Sequence, residues 1–276
     1  MTILLTGATG FVGSHILDVL LKRGLKVKVI SRPASTAKLA SWSNIEEIVL
    51  TDNLFLENQE WLCSALNGVD TIIHASWYAE PGQYLSSDLN LECLTGTILL
   101  AKAASLVGVK KFVGVGTCFE YEESDQPLSV DSPLGPATLY AASKAACYSV
   151  LSRFFENKCT SFAWARLFYL HGDREDGGRL VPYLVNRLSR GKIAELTSGE
   201  QIRDFMDVAE AAKIIVDVSC GDQIGAVNIC SGKAISIREL ARSIAKQYEA
   251  EHCLRFGARA PNLTDPPFVV GVPNFK

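Results

Sequence analysis

A short apolar run enters a turn of glycines spaced three apart, and few folds can use that arrangement. Residues 3–13 read Ile3-Leu4-Leu5-Thr6-Gly7-Ala8-Thr9-Gly10-Phe11-Val12-Gly13. Ile16, Val19 and Leu20 follow at helical spacing, and Gly24 is placed to stop the helix. The pattern predicts strand, turn, helix. A turn without side chains lets backbone approach a pyrophosphate closely, and the helix N-terminus behind it favours that negative charge. The spacing is G-x-x-G-x-x-G rather than G-x-G-x-x-G, but the physical demand is similar. Gly7, Thr9, Gly10, Phe11, Val12 and Gly13 are therefore candidate residues for binding a dinucleotide cofactor.

The next strand, Lys26-Val27-Lys28-Val29-Ile30, ends in Ser31-Arg32. In a site that prefers NAD an acidic residue near this point holds the ribose 2′-hydroxyl. Here no carboxylate stands there. A hydroxyl and a guanidinium suit a 2′-phosphate, so Ser31 and Arg32 favour NADP(H) over NAD(H). The plainer reading of Arg32, a solvated loop charge, stays open.

Short β-rich runs then alternate with helical patterns. Strands are expected at 2–6, 26–30, 46–50, 70–75, 111–116 and 161–167. Helices are expected at 11–23, 59–67, 89–107, 139–156, about 179–190 and 207–219. That alternation predicts an α/β fold, a doubly wound parallel sheet of the Rossmann type. Ligands of such sheets sit at the carboxyl ends of the strands, where Ala75, Ser76 and Thr117 fall. After about residue 166 the rhythm changes, and a polar, glycine-rich loop follows at 171–178. The expected division is a dinucleotide-binding domain, 1–167 plus 205–229, and a smaller substrate-binding lobe, 168–204 plus 230–276.

Tyr140 and Lys144 lie four apart in a helical segment and so share one face. Such a pair is ordinary on an amphipathic helix; the glycine turn gives it chemical meaning. An ammonium beside a phenol lowers the Tyr pKa, ordinarily ~10. A Tyr tuned in that way can exchange a proton near neutral pH.

Composition excludes more than it selects. The net charge of −3 gives no reason to expect nucleic acid or an anionic membrane as partner. No apolar stretch is expected to reach the ~18 residues that span a bilayer, and the N-terminus runs directly into a strand rather than a signal peptide. The eight cysteines (63, 93, 118, 147, 159, 220, 230 and 253) form no C-x-x-C pair and no metal-ligand spacing. A reduced, cytoplasmic setting is expected. His15, His74, His171 and His252 do not cluster, and no metal site is expected.

With the glycine turn, Thr117 and Tyr140-x-x-x-Lys144 in order, the chain resembles the extended short-chain dehydrogenase/reductases. These are the NAD-dependent epimerase/dehydratase proteins, which act largely on nucleotide sugars. The resemblance covers nearly the whole chain. It implies that Asp52, with Asn53 and Leu54 beside it, contacts the adenine, and that Thr117 joins Tyr140 and Lys144 as the catalytic residues. Arg166-Leu167-Phe168 resembles the strand leading into the substrate lobe. Arg203-Asp204-Phe205-Met206-Asp207-Val208 resembles the family's R-D-[FY]-x-x-V segment, whose Arg contacts the substrate's phosphates. Gly116-Thr117-Cys118-Phe119-Glu120-Tyr121 is most similar to the abequose and paratose synthase group, 4-ketoreductases of nucleotide-activated deoxyhexoses.

Departures narrow the resemblance. Sugar 4,6-dehydratases carry Asp-Glu after the active-site Thr; Cys118-Phe119 stand here, so dehydration is disfavoured. Cys93, rather than Asn, precedes Gly96-Thr97 by three residues, and Asn90 is out of register. His171-Gly172 replaces Tyr-Gly.

The resemblance implies NADPH-dependent reduction of a 4-keto-6-deoxy nucleotide sugar. Tyr140 would give the proton, Lys144 would hold the nicotinamide ribose, and Thr117 would donate to the same oxygen. Thr117, Cys118, Phe119 and Arg203 would face the substrate. An epimerase that retains its cofactor and a non-catalytic NADP(H)-binding regulator are the alternatives. Glu120 and Tyr121 could shape the pocket, or Glu120 is simply solvated. Trp77 and Tyr78 border the site or belong to the core. Relatives pair through helices corresponding to 89–107 and 139–156. A homodimer is therefore expected, with Leu99, Leu100, Ala103, Val107, Val150, Leu151 and Phe154 either at its face or in the ordinary core.

Overall fold

Strands covered on both faces read as continuous apolar runs rather than alternating ones, and this chain uses its runs that way. The computed structural model describes residues 1–261 and 265–275. The first part of the chain builds β1 (Thr2–Thr6), α1 (Phe11–Lys22), β2 (Lys26–Ser31), α2 (Thr36–Leu39), β3 (Glu47–Leu50), α3 (Gln59–Ala65) and β4 (Thr71–His74). It continues with α4 (Leu89–Leu106), β5 (Lys111–Thr117), α5 (Leu139–Phe155) and β6 (Ser161–Leu167). Then come β7 (Tyr169–His171), α6 (Leu180–Leu188), β8 (Ala194–Glu195), β9 (Ile202–Asp207), α7 (Val208–Cys220) and β10 (Gly225–Ile229). The remainder holds β11 (Ala234–Ser236), α8 (Ile237–Gln247), β12 (Leu254–Arg255) and β13 (Phe268–Val269).

Seven strands form one parallel sheet in the order β10-β6-β5-β4-β1-β2-β3. This is the Rossmann-like α/β core that the alternation predicts. The order reverses at β1 and β4, so their carboxyl ends flank the crevice where such sheets take ligands. On one face α1 and α7 pack Ile16, Leu17, Leu20, Ile215 and Val216 against the strands. On the other, α3, α4 and α5 contribute Leu62, Leu100, Ala104, Leu151 and Phe155.

The second layer grows from β9, which pairs with β7 and β13 in parallel and β11 antiparallel. β9 runs unbroken across the expected boundary at 204/205. Asp204 ties this sheet together. Its wholly buried carboxylate accepts from Ser231 N (2.8 Å), Ser231 Oγ (2.6 Å), Gly232 N (2.8 Å) and Gly271 N (3.2 Å). The polar loop at 171–178 is held to α1. Asp173 O meets His15 Nε2 at 2.8 Å, and Arg174 pairs with Asp18. At the sheet edge, Asn274 works on the open backbone of β10: its Oδ1 accepts from Asn228 N (2.9 Å) and its Nδ2 donates to Ala226 O (3.0 Å).

Two expectations need correction. Helix α4 is, by length and composition, apolar enough to cross a bilayer, contrary to the reading that no segment is. The fold instead spends Leu100, Ala101, Ala103 and Ala104 of that helix on the core. For the same reason Leu100, Ala103 and Leu151 cannot face a second copy, since each is essentially fully buried. Val107 and Val150 are exposed.

Candidate active site

The glycine turn is built so tightly that side chains are excluded from it. A Cβ on Gly13 would sit 2.0 Å from Gly7 O, and one on Gly7, whose φ is +74°, 2.8 Å from the backbone of Ala75 and Ser76. The turn thus brings the end of β1 against the end of β4 and aims the first N–H groups of α1 outward. Those groups have no partner within a helix, and the residues carrying them line a cavity of about 1050 Å³. This cradle fits a pyrophosphate. Thr9, Gly10, Phe11, Val12 and Gly13 would hold it, and Gly7 makes the turn possible.

Every residue singled out from the sequence for catalysis, cofactor or substrate lines this one cavity. Ser31, Arg32, Asp52, Asn53 and Leu54 form one end, together with Ser35 and Thr51, which no motif marked. Asn53 is shaped by its own neighbourhood: its Oδ1 accepts from Phe55 N (3.0 Å) and its N–H donates to Thr51 Oγ1 (3.2 Å). Ala75 and Ser76 form the floor.

Thr117 ends β5 and starts a single 3-10 turn, Cys118–Glu120, with reciprocal caps. Its Oγ1 accepts from Phe119 N (3.3 Å), and Glu120 Oε1 accepts from Thr117 N (2.9 Å). Glu120 is not solvated; it shapes the pocket from behind, through Thr117, without lining it. It is completely buried, accepts from Trp164 Nε1 (2.9 Å) and pairs with Arg166 Nε at 2.8 Å. Arg166 continues to Tyr121 Oη (2.9 Å), which donates to Asn228 Oδ1 (2.6 Å). Gly114 and Gly116 make room for this arrangement, since a Cβ on either would come within 2.3 Å of the Trp164 ring. A buried ion pair therefore sets the position of Thr117.

Thr138 caps α5 by accepting from Ala141 N (3.2 Å), and the helix carries Tyr140 and Lys144 to the cavity wall. Lys144 is buried and donates to Val115 O at 2.6 Å. The Tyr140 ring meets Tyr84 edge-on, with centroids 4.9 Å apart, and Trp77 at 6.4 Å. The expected depression of the Tyr140 pKa is corrected here. Burial, reinforced by Tyr84, pushes the phenol above the usual Tyr range, against the hydrogen bond with Thr117. Burial also lowers Lys144, to about 8. Tyr140 is thus a protonated donor at neutral pH, beside an ammonium that has lost half its charge near pH 8.

His74, behind these residues, is neutral by construction. Thr97 Oγ1 donates to Cys93 O (2.7 Å) and so receives the Nε2 proton of His74 (3.0 Å). Thr6 Oγ1 accepts from Ser76 N (3.2 Å) and gives its proton to Nδ1 (2.9 Å). Burial, then the Lys144 charge, lowers this imidazole from 6.5 to about 3. Between those values the unfolded chain binds more protons, so stability falls as pH drops through 6.5 towards 3. The His74 contribution to that slope approaches about 1.4 kcal/mol per pH unit. His74→Gln is expected to show a shallower loss of unfolding free energy between pH 7 and 5 in urea titrations. Parallel slopes would refute the assignment.

Beyond Thr117, Cys118 and Phe119 line the cavity, the Cys118 thiol pushed up to about 12 by burial and therefore unreactive. Phe119 meets Tyr169 edge-on at 6.1 Å, and Tyr169 meets Phe205 at 5.8 Å. Arg203 was expected to be free for phosphates, but its guanidinium is already engaged. It pairs with Asp265 (2.7 Å), donates to Ile202 O (2.8 Å) and Pro266 O (2.6 Å), and lies over the Tyr169 ring. Arg179 and Glu175, the latter raised to about 6 by burial, line the same wall and carried no sequence signal. His171 is outside the cavity lining; its ring packs 6.4 Å from Phe205.

The model of the NAD dependent epimerase/dehydratase family matches residues 3–230. The CDP-abequose synthase of Salmonella muenchen is 27% identical over 269 residues, spanning 94% of this chain and 84% of its own length. The dTDP-6-deoxy-L-talose 4-dehydrogenase (NAD(+)) of Aggregatibacter actinomycetemcomitans is 25% identical over 92% of both chains. Among solved structures, the UDP-N-acetylglucosamine 4-epimerase from Methanobrevibacter ruminantium M1, in complex with UDP-N-acetylmuramic acid, superposes with a TM-score of 0.86. It is 25% identical, covering 98% of this chain and 89% of that one.

Proposed function

The chain belongs to the NAD dependent epimerase/dehydratase family, and we propose that within it the protein reduces a 4-keto-6-deoxy nucleotide sugar with NADPH. The observation that carries this reading is the protonated Tyr140 hydroxyl beside Thr117 in the cavity. Ketone reduction consumes a proton, so it needs a donor at that place. Alcohol oxidation would need the phenolate, which burial disfavours. Dehydration needs a further acid/base pair, and the one carboxylate in the turn after Thr117, Glu120, is buried in its pair with Arg166. The likeness to a CDP-abequose synthase points the same way.

When bound, NADPH supplies the hydride. Tyr140 gives its proton to the carbonyl oxygen as charge develops there. Thr117 donates a hydrogen bond to the same oxygen, a contribution of about 3 kcal/mol to the barrier in comparable sites. Lys144 holds the nicotinamide ribose, and the N-terminus of α1 holds the pyrophosphate. The large sheet with α7 forms the cofactor half, and the β9 sheet with α6 and α8 forms the substrate half.

Ser31 and Arg32 support NADPH over NADH. Replacing Arg32 by Ala is expected to weaken NADPH binding by roughly tenfold to a hundredfold, the worth of a charge-assisted contact. NADH binding should change little, and equal losses for both cofactors would overturn the preference. A screen of thymidine-, cytidine-, guanosine- and uridine-linked 4-keto sugars, followed by NADPH absorbance, tests the reaction itself.

The superposition on a 4-epimerase favours one second reading, in which Tyr140 and Lys144 serve a reversible redox step. Redox-neutral isomerisation without net NADPH loss would establish it. Tight NADPH binding with no turnover of any sugar would instead mark a non-catalytic binder.

A further inference from the structure

Trp77, just beyond β4, has no part in the chemistry described above, yet its ring lies against the buried cation. Lys144 Nζ stands 3.8 Å from the centroid of the Trp77 ring and 5.8 Å from that of Trp164. The titratable groups around this ammonium offer it little compensating charge. His74 is neutral, held between Thr6 and Thr97. Burial keeps the thiols of Cys93 and Cys147 protonated, and Tyr140 keeps its proton. Glu120 is committed to Arg166. An aromatic face supplies negative potential without a proton of its own.

The indole is itself fixed. Its Nε1 donates to Asn90 Oδ1 at 2.7 Å. Asn90 is completely buried and donates through Nδ2 to Tyr84 O (2.6 Å) and Ser87 O (2.8 Å). The Trp77 ring meets Tyr140 and Phe55 edge-on, both at 6.4 Å. Tyr84 closes the circuit on Tyr140 from the other side. Val115 O and the Trp77 face thus occupy two sides of the ammonium, and Lys144 borders the cavity with what remains.

We propose that Trp77 is a positioning residue of this active site: its indole face, held by Asn90, seats the Lys144 ammonium beside Tyr140 in its charged form. The proposal rests on the reading of Tyr140 and Lys144 as the catalytic pair. A ring face contributes more at a desolvated site than at an exposed one, and this site is closed.

The direct test is the titration of Lys144, followed by NMR in protein labelled with 13Cε-lysine, its signal assigned by its loss in Lys144→Met. The parent is expected to titrate near 8. Trp77→Leu is expected to lower that midpoint by roughly half to one and a half units, and Trp77→Phe by much less. NADPH affinity, measured across the same pH range, should begin to fall at correspondingly lower pH in Trp77→Leu. An unmoved titration in Trp77→Leu overturns the proposal, as does an equal drop in Trp77→Phe. If Trp77→Leu does not fold, 5-fluorotryptophan labelling of the parent weakens the ring face without a mutation. The midpoint should then drop in the parent and stay in place when Trp77→Phe carries the same label; no drop in the parent overturns the proposal. A Lys144 titration that moves while cofactor affinity and turnover do not would leave the contact intact and overturn the catalytic reading of Lys144.

Discussion

Tyr140→Phe is expected to lower kcat for ketone reduction by roughly 10²–10⁴-fold, the range that a positioned proton donor contributes. The substitution removes one oxygen and keeps the ring, so the edge contacts with Tyr84 and Trp77 persist. The substitution gives up the hydroxyl's one hydrogen bond with Thr117, a net cost of only about 0.5–1.5 kcal/mol in stability. The unfolding midpoint and NADPH affinity should therefore stay near the parent values. That split between lost turnover and retained binding separates a chemical role from a structural one. Stopped-flow measurement of the hydride step, at saturating NADPH and sugar, reads it directly. Activity within a few-fold of the parent would remove Tyr140 from the mechanism.

The second large effect is on stability. Glu120→Gln keeps the shape of the side chain but replaces one acceptor oxygen by an NH₂ group. In the parent, Oε1 accepts from Thr117 N and Trp164 Nε1, and Oε2 from Arg166 Nε and, more distantly, Trp164. Whichever way the amide turns, its NH₂ faces donors. Arg166 is left as a buried charge without an anionic partner, 1% exposed along its side chain, with the Tyr121 hydroxyl and the rings of Tyr121 and Tyr148 against it. Losing one partner of a buried pair costs about 3–5 kcal/mol, a large share of the 5–15 kcal/mol that holds a domain folded. Turnover should fall too, because Thr117 loses the acceptor that fixes its backbone. The double change Glu120→Leu with Arg166→Met should cost less than Glu120→Gln, since it removes both charges together. Urea unfolding of the three proteins decides it, and a cost below about 1 kcal/mol for Glu120→Gln would show that Tyr121 and Tyr148 satisfy Arg166 without a carboxylate.

The large sheet and its helices are legible because their signals are local. The glycine turn, the apolar runs of β1 and β5 and the Thr138-capped helix each announce themselves within a dozen residues. The small sheet is not, because β7, β11 and β13 are two or three residues long and acquire meaning only from their partner β9. Helix α8 was passed over although a signal existed. Ser236 and Glu239 form a capping box, and Ile237, Leu240, Ala241, Ile244 and Ala245 recur at helical spacing. Motifs gathered the site residues onto one cavity but not their electrostatics. A nearby ammonium by itself favours the Tyr140 phenolate, but burial, which only the assembled fold determines, outweighs it. The partner of Arg203 was equally hidden, because nothing in the sequence around Asp265 marks it for that contact.

The side chain of Asn274 on β10 has a consequence for solution behaviour. β10 is the last strand of the large sheet, and a free strand edge is a template for another chain. Asn274 answers Asn228 N and Ala226 O with one amide, imitating the backbone of an eighth strand without supplying an eighth edge. The segment that carries it thereby works against sheet-to-sheet association at high concentration. Trimming residues 270–275 would open that edge to self-assembly, and none of those residues lines the large cavity.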